Sequence, residues 1–169
     1  MKIEWRNELE NKYKAIVIDV DGTMTDGGIY YAENGVETKK FCTKDAAGFF
    51  VLKQLGIEIL IISGRECAAT LRRMSELGIK SVFQNVKNKY GFIQTYMLNN
   101  NIKKEELAYI GDDLNDLPSM KLAGYVGCPE DACKEVKSIA DYISNVKGGF
   151  GAVRDIVENG LVDEISWEK

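Results

Sequence analysis

An α/β fold, built on an open parallel sheet with helices on both faces, is what this 169-residue sequence predicts. Three observations carry the expectation. Short continuous apolar runs alternate with amphipathic stretches, the pattern of strands covered on both faces by crossover helices. The chain is 45% hydrophobic and 28% charged with two prolines, which is the composition of a globular chain and not of a disordered one. Its length fits one domain with a sizeable core, and no repeat, low-complexity tract or Pro/Gly/Ser-rich linker divides it, so residues 1–169 read as a single domain.

The elements follow in order. Residues 1–12 read as a short polar lead-in helix. Residues 15–20 (AIVIDV) form the first strand. Residues 29–41 (IYYAENGVETKKF) have two extended arms around Asn34-Gly35, a strong hairpin signal, so a β-hairpin is expected after that strand. Asp45 caps a helix over 46–55 that Gly56 ends, and residues 57–62 form a second buried strand. A helix over 65–77 carries Leu71, Met74 and Leu77 on one face and stops at Gly78. A strand over 81–83, a helix over 89–98 ended by three asparagines, and a strand over 107–110 come next. Then follow a helix over 114–123, short strands over 125–127 and 142–143 around a helix near 132–138, and a last helix over 151–159.

Composition removes several chemistries. The chain has no histidine, so it cannot build a Ser-His-Asp triad, a Cys-His dyad, a phosphohistidine or a His-ligated zinc site. With 22 basic and 26 acidic residues the net charge is −4, and no basic cluster is longer than a pair, which argues against nucleic acid. The longest apolar stretch is too short to span a membrane. The first residues, MKIEWRNELENK, lack the apolar region of a signal peptide. Cys42, Cys67, Cys128 and Cys133 include no CxxC pair and read as reduced thiols, so a cytoplasmic location is expected. Cys67 and Arg73 share the spacing of cysteine phosphatases, but the segment between them is helical in pattern and has no glycine with which to ring a phosphate.

In an open α/β sheet, ligands sit beyond the carboxyl ends of the strands. The first strand ends in Asp19-Val20-Asp21-Gly22-Thr23. Carboxylates at i and i+2 leave an extended segment on one side, and leaving an apolar strand they need a metal, protons or donors. Two solvated loop aspartates would also account for them. The second strand ends in Ser63-Gly64-Arg65, which fits a phosphate site at a helix start, or a simple N-cap. The fourth ends in Gly111-Asp112-Asp113-Leu114-Asn115-Asp116. Helix capping explains one or two of these carboxylates. Three, at a sheet mouth that already holds Asp19 and Asp21, point to a hard divalent cation, and Mg²⁺ fits. Lys89, at a helix start between these strand ends, is a surface lysine or the balancing charge for a phosphate.

The order DxDGT, apolar strand ending in Ser, lysine at a helix start and GDDxxD resembles the haloacid dehalogenase (HAD) superfamily of aspartate-nucleophile phosphotransferases, from about Tyr13 to Asn159. The resemblance implies a Rossmann-like HAD fold with the hairpin as a flap. It implies Asp19 as the nucleophile, Asp21 as acid and base, Ser63 and Lys89 as phosphate-binding groups, and Mg²⁺ held by Asp19, Asp21 through its carbonyl and Asp112, with Asp113 a ligand through water or an orienter of Lys89. Asp116 would support them from behind. An acid at Asp21 places the chain with phosphatases and not dehalogenases. Neither the stretch from Asp21 to Ser63 nor that from Lys89 to Asp112 holds a cap domain, since domains start at about 50 residues. An open site then takes a wall from a neighbouring copy, so a homo-oligomer with hairpins in the interface is expected.

The runs DVDGTMTDGGIYYAENGVETKKF, TKDAAGFFVLKQLGIEILIISGR, GDDLNDLPSM and GGFGAVRD closely resemble the 3-deoxy-D-manno-octulosonate 8-phosphate phosphatase family of lipopolysaccharide biosynthesis. That family includes nonulosonate 9-phosphate phosphatases and is typically tetrameric. It makes Asp26, Asp45, Gly64 and Arg65 substrate-binding candidates, with Arg65 suited to a sugar-acid carboxylate. Phe150 departs from the family's pattern, where an Arg often stands. A phosphomutase, or a non-catalytic oligomerisation module like those fused to cytidylyltransferases, are the alternatives; the full acidic set favours catalysis.

Overall fold

The computed structural model describes residues 12–162 and two short strands, Ile3–Glu4 (β1) and Ser166–Trp167 (β10), which pair antiparallel. The expected lead-in helix is therefore not what residues 3 and 4 form, and the rest of that segment up to residue 11 lies outside the described residues.

Six parallel strands form the central sheet: Ala15–Asp19 (β2), Glu58–Ile62 (β5), Ser81–Phe83 (β6), Leu107–Ile110 (β7), Tyr125–Cys128 (β8) and Tyr142–Ile143 (β9). Their order across the sheet is β6-β5-β2-β7-β8-β9, with β2 and β7 near the middle. All are parallel, so every connection crosses over a face and both faces are buried. Alternation along β2 sorts the core. Ile16 and Ile18 join Ile59, Ile61 and Ile110 beneath Asp45–Gln54 (α1), Ala68–Glu76 (α2) and Ala152–Asp155 (α6). Ala15 and Val17 join Leu60, Ile62 and Tyr109 beneath Lys89–Asn99 (α3), Leu117–Met120 (α4) and Lys134–Lys137 (α5). Asp19 continues the second of these faces.

The hairpin forms as expected, from Tyr30–Tyr31 (β3) and Glu37–Thr38 (β4). Gly35 takes a φ of 78° at the turn, and the Asn34 side chain accepts from the Val36 amide. A separate antiparallel bridge between Thr25 and Phe41 closes the base.

Four helix boundaries differ from the sequence expectation. Residues 65–67 are not helical, because the loop after β6 takes their backbone: Ser63 Oγ accepts from the Arg65 amide, the Asn85 amide donates to Arg65 and the Cys67 amide donates to Gln84. The helix expected over 114–123 is reduced to the single turn α4, since the Asp113 carboxylate accepts from the Leu114 amide and short three-residue bonds follow Met120. The last helix changes after Asp155 into a wider-wound π segment, Ile156–Leu161. Asp45 is the first residue of α1 and not its cap, which is Lys44.

Candidate active site

The strand β2 delivers Asp19 to the carboxyl edge of the sheet, on the face that α3 covers. Lys89, the first residue of α3, reaches it there: Nζ donates to Asp19 Oδ1 at 2.5 Å and to Asp116 Oδ1 at 2.6 Å. Tyr109, on β7 and fully buried, donates to the same Asp116 oxygen at 2.7 Å. Beyond β2 the chain makes a wide turn over Val20–Met24, where Gly22 has a φ of 95°. A Cβ at this position would lie 2.1 Å from Asp112 Oδ2, so only glycine allows the loop to close against that carboxylate. Thr23 Oγ1 then donates to Asp112 Oδ1 at 2.8 Å.

Oxygens of Asp19, Asp112 and Asp116 lie within 4.8 Å of one another. Crowding buried carboxylates in this way raises their affinity for protons. Burial, then the charge of Asp116, pushes Asp19 well above the ordinary carboxylate range against the pull of Lys89. Burial chiefly, with Asp116 and Asp113 adding to it, pushes Asp112 up to about 7 while the Thr23 bond opposes. Lys89 is raised: its burial acts the other way, but the charges of Asp19 and Asp116 outweigh it. One ammonium thus serves three carboxylates. Such an all-oxygen set, still short of positive charge, fits a hard divalent cation. Asp116 already receives Tyr109 and Lys89 on one oxygen and the Asp112 amide on the other, at 3.4 Å. Asp19 and Asp112 are the better placed to face a cation.

The other expected residues divide. Ser63 Oγ donates to Asp21 Oδ2 at 3.1 Å, so β5 and the β2 loop meet as the strand order requires. Asp21 directs its carboxylate at Ser63 and Lys39 and is not part of the close carboxylate trio. Gly64 offers its carbonyl to Lys87 Nζ at 2.6 Å. Arg65 pairs with Glu37 at 2.6 Å, and Asp26 accepts from the Tyr30 hydroxyl at 2.8 Å at the foot of the hairpin.

Two of the expected residues lie apart from the trio. Asp113 is exposed, its carboxylate accepting from the adjacent Leu114 amide, while Asp116 is turned inward and completes the trio. Asp45 is not brought to the cluster: it is 2% exposed and accepts from the Arg154 amide on α6. Burial pushes Asp45 up to about 6. Because its folded affinity for the proton exceeds the unfolded one, stability falls as pH rises from about 4 through about 6. Asp45→Asn should therefore raise the melting temperature at pH 8, by at most about 3 kcal/mol of stability, and lose that advantage near pH 4. Thermal melts at the two pH values check this, and a rise in KM with unchanged melting would instead return Asp45 to the substrate pocket.

Thr23, Tyr109, Glu37 and Lys39 are the participants that strand-end reasoning passed over. Glu37 and Lys39 stand two apart on one arm of the hairpin, hence on one side, a signal visible in the sequence. Where that side points was not.

Residues 81–154 match the family model of haloacid dehalogenase-like hydrolases. The chain is 35% identical over 151 residues to 3-deoxy-D-manno-octulosonate 8-phosphate phosphatase of Haemophilus influenzae, covering 89% of this chain and 83% of that protein. The crystal structure of the Moraxella catarrhalis enzyme of that name, in complex with magnesium ion, phosphate ion and a KDO molecule, superposes with a TM-score of 0.83 at 38% identity, covering 89% of this chain and 87% of that one. The cobalt-bound Haemophilus influenzae enzyme gives 0.81 at 35% identity, with the same two coverages of 89% and 87%. With a parallel sheet, a carboxylate trio at its carboxyl edge and this degree of identity over most of both chains, the protein belongs to the haloacid dehalogenase-like hydrolases, in the family of the 3-deoxy-D-manno-octulosonate 8-phosphate phosphatases.

Proposed function

We propose that the protein is a Mg²⁺-dependent phosphatase that hydrolyses a sugar-acid phosphate, with 3-deoxy-octulosonate 8-phosphate as its substrate. The observation that carries this reading is the buried Lys89–Asp19 pair beside Asp112, where β2, β7 and α3 meet at the carboxyl edge of the sheet; we read them as nucleophile, counter-ion and cation ligand. Asp19 attacks phosphorus with the oxygen that Lys89 leaves free and becomes an aspartyl-phosphate, while the bond to the sugar oxygen breaks. Asp21 gives its proton to that leaving oxygen. In the second half Asp21 takes a proton from water, which attacks the aspartyl-phosphate and releases inorganic phosphate. The Ser63 hydroxyl and the Gly64 amide hold phosphoryl oxygens, and Lys89 offsets the charge between phosphate and Asp19.

Asp19, Asp112 and the Asp21 carbonyl would hold the magnesium ion, with Asp116 fixing Asp112 and Lys89 from behind. The ion supplies charge neutralisation for the phosphoryl group and for the nucleophile. Arg65, 40% exposed in its side chain beside the hairpin, is the group for the sugar carboxylate. We read the exposed Ile29, Tyr30, Tyr31 and Val36 of the hairpin as part of an interface between copies of a single-domain chain, a tetramer.

A panel of octulosonate 8-phosphate, nonulosonate 9-phosphates, simple hexose phosphates and 4-nitrophenyl phosphate tests the assignment. With Mg²⁺, octulosonate 8-phosphate should give a kcat/KM about tenfold or more above the hexose phosphates and 4-nitrophenyl phosphate, which lack a carboxylate for Arg65, since a matched charged contact is worth more than about 1.4 kcal/mol, and it should also exceed the nonulosonate 9-phosphates. Phosphate release from none of them would leave a non-catalytic assembly module as the better reading.

A further inference from the structure

The hairpin does more than project. Its base is fixed by the Thr25–Phe41 bridge, two residues from Lys39, so the backbone there has little freedom. From this anchored arm Lys39 turns inward, and its side chain is 2% exposed, a burial that lysine adopts only where its charge is paired. Its ammonium makes an ion pair with Asp21 Oδ1, while Ser63 Oγ occupies Asp21 Oδ2 at 3.1 Å. The two oxygens of one carboxylate are thus held from opposite elements, the hairpin and the end of β5. Glu37 lies 3.5 Å from Lys39 and 2.6 Å from Arg65, so it holds the lysine in place and ties it to the next loop. Each Asp21 oxygen keeps a second lone-pair direction for a proton in transit.

The geometry points to Lys39 as a positioning residue for proton transfer: with Ser63 it fixes the rotamer of Asp21, so that the hairpin orients the acid–base group of the reaction. The inference rests on the proposed role of Asp21 as proton donor and adds to it the group that aims it. A misaimed donor costs most where the leaving oxygen needs its proton. A sugar alkoxide does; a 4-nitrophenolate leaves without one.

Lys39→Met keeps the length of the side chain and removes the ammonium. We expect the single-turnover rate of sugar release from the sugar phosphate to fall on the order of 100-fold with KM changed less than about threefold, and the single-turnover rate of 4-nitrophenolate release, which precedes the water step and needs no proton, to fall less than about fivefold. Lys39→Arg should recover part of the lost sugar-phosphate turnover. Equal losses on both substrates, including loss through misfolding, overturn the inference, as does no loss on either. Asp21→Asn run beside it separates the two levels. If Asp21→Asn shows the leaving-group split and Lys39→Met does not, Lys39 has no such role. If Asp21→Asn itself hydrolyses the sugar phosphate normally, the assignment of Asp21 as proton donor is what fails.

Discussion

Asp19→Asn should lower turnover on every phosphate monoester by a factor on the order of 10⁴ or more, leaving only the rate that binding and charge neutralisation sustain without a nucleophile. The amide has nearly the shape of the carboxylate but neither its charge nor its nucleophilicity. The fold should tolerate the change. Asp19 is 4% exposed and its charge is disfavoured there by burial and by Asp116, so replacing it relieves repulsion. Lys89 meanwhile keeps Asp116 as a partner at 2.6 Å. A melting temperature near that of the wild type, together with absent phosphate release, is the expected pair of results. Full activity in a well-folded Asp19→Asn protein would end the aspartyl-phosphate reading.

Removal of divalent cation should have an effect of similar size. After EDTA treatment turnover should fall to background and return on adding Mg²⁺. A second readout does not depend on catalysis. The trio of Asp19, Asp112 and Asp116 with one lysine is under-neutralised, and a cation that binds only the folded arrangement stabilises it. At a hundredfold excess over its dissociation constant Mg²⁺ should add about 2.7 kcal/mol, visible as a higher melting temperature. Asp112→Asn should lose most of that shift. An EDTA-treated protein with unchanged turnover would remove the metal from the reading.

Strand ends were readable without coordinates. Leu107–Ile110 has the bounds that apolar run length assigns, because a strand buried on both faces selects apolar residues along its length, while Tyr142–Ile143 at the sheet edge is partly exposed and is marked only by its apolar pair. Helix starts were less readable. Ser63 looks like a cap, and its hydroxyl does accept a backbone amide, but the helix waits until Ala68 because Gln84 and Asn85 take the intervening backbone groups. That competition is between residues about 20 positions apart, which no local propensity encodes. The choice between Asp113 and Asp116 was similar: sequence offers three carboxylates in five positions, and only the turn after β7 shows which one faces Lys89.

Sequence alone determined the alternation of strands and helices, the absence of histidine chemistry and the acidic groups collected at strand ends. These follow from run length, composition and the rule that parallel strands open their carboxyl ends to one side. Tertiary structure decided that Asp45 is buried against the Arg154 amide, that Tyr109 backs Asp116, and that the hairpin folds so that Lys39 and Glu37 meet Asp21 and Arg65. Each of those depends on where a side chain far along the chain happens to be packed. Burial and pairing are properties of the assembled sheet, and a charge reads the same in sequence whether water or another charge surrounds it.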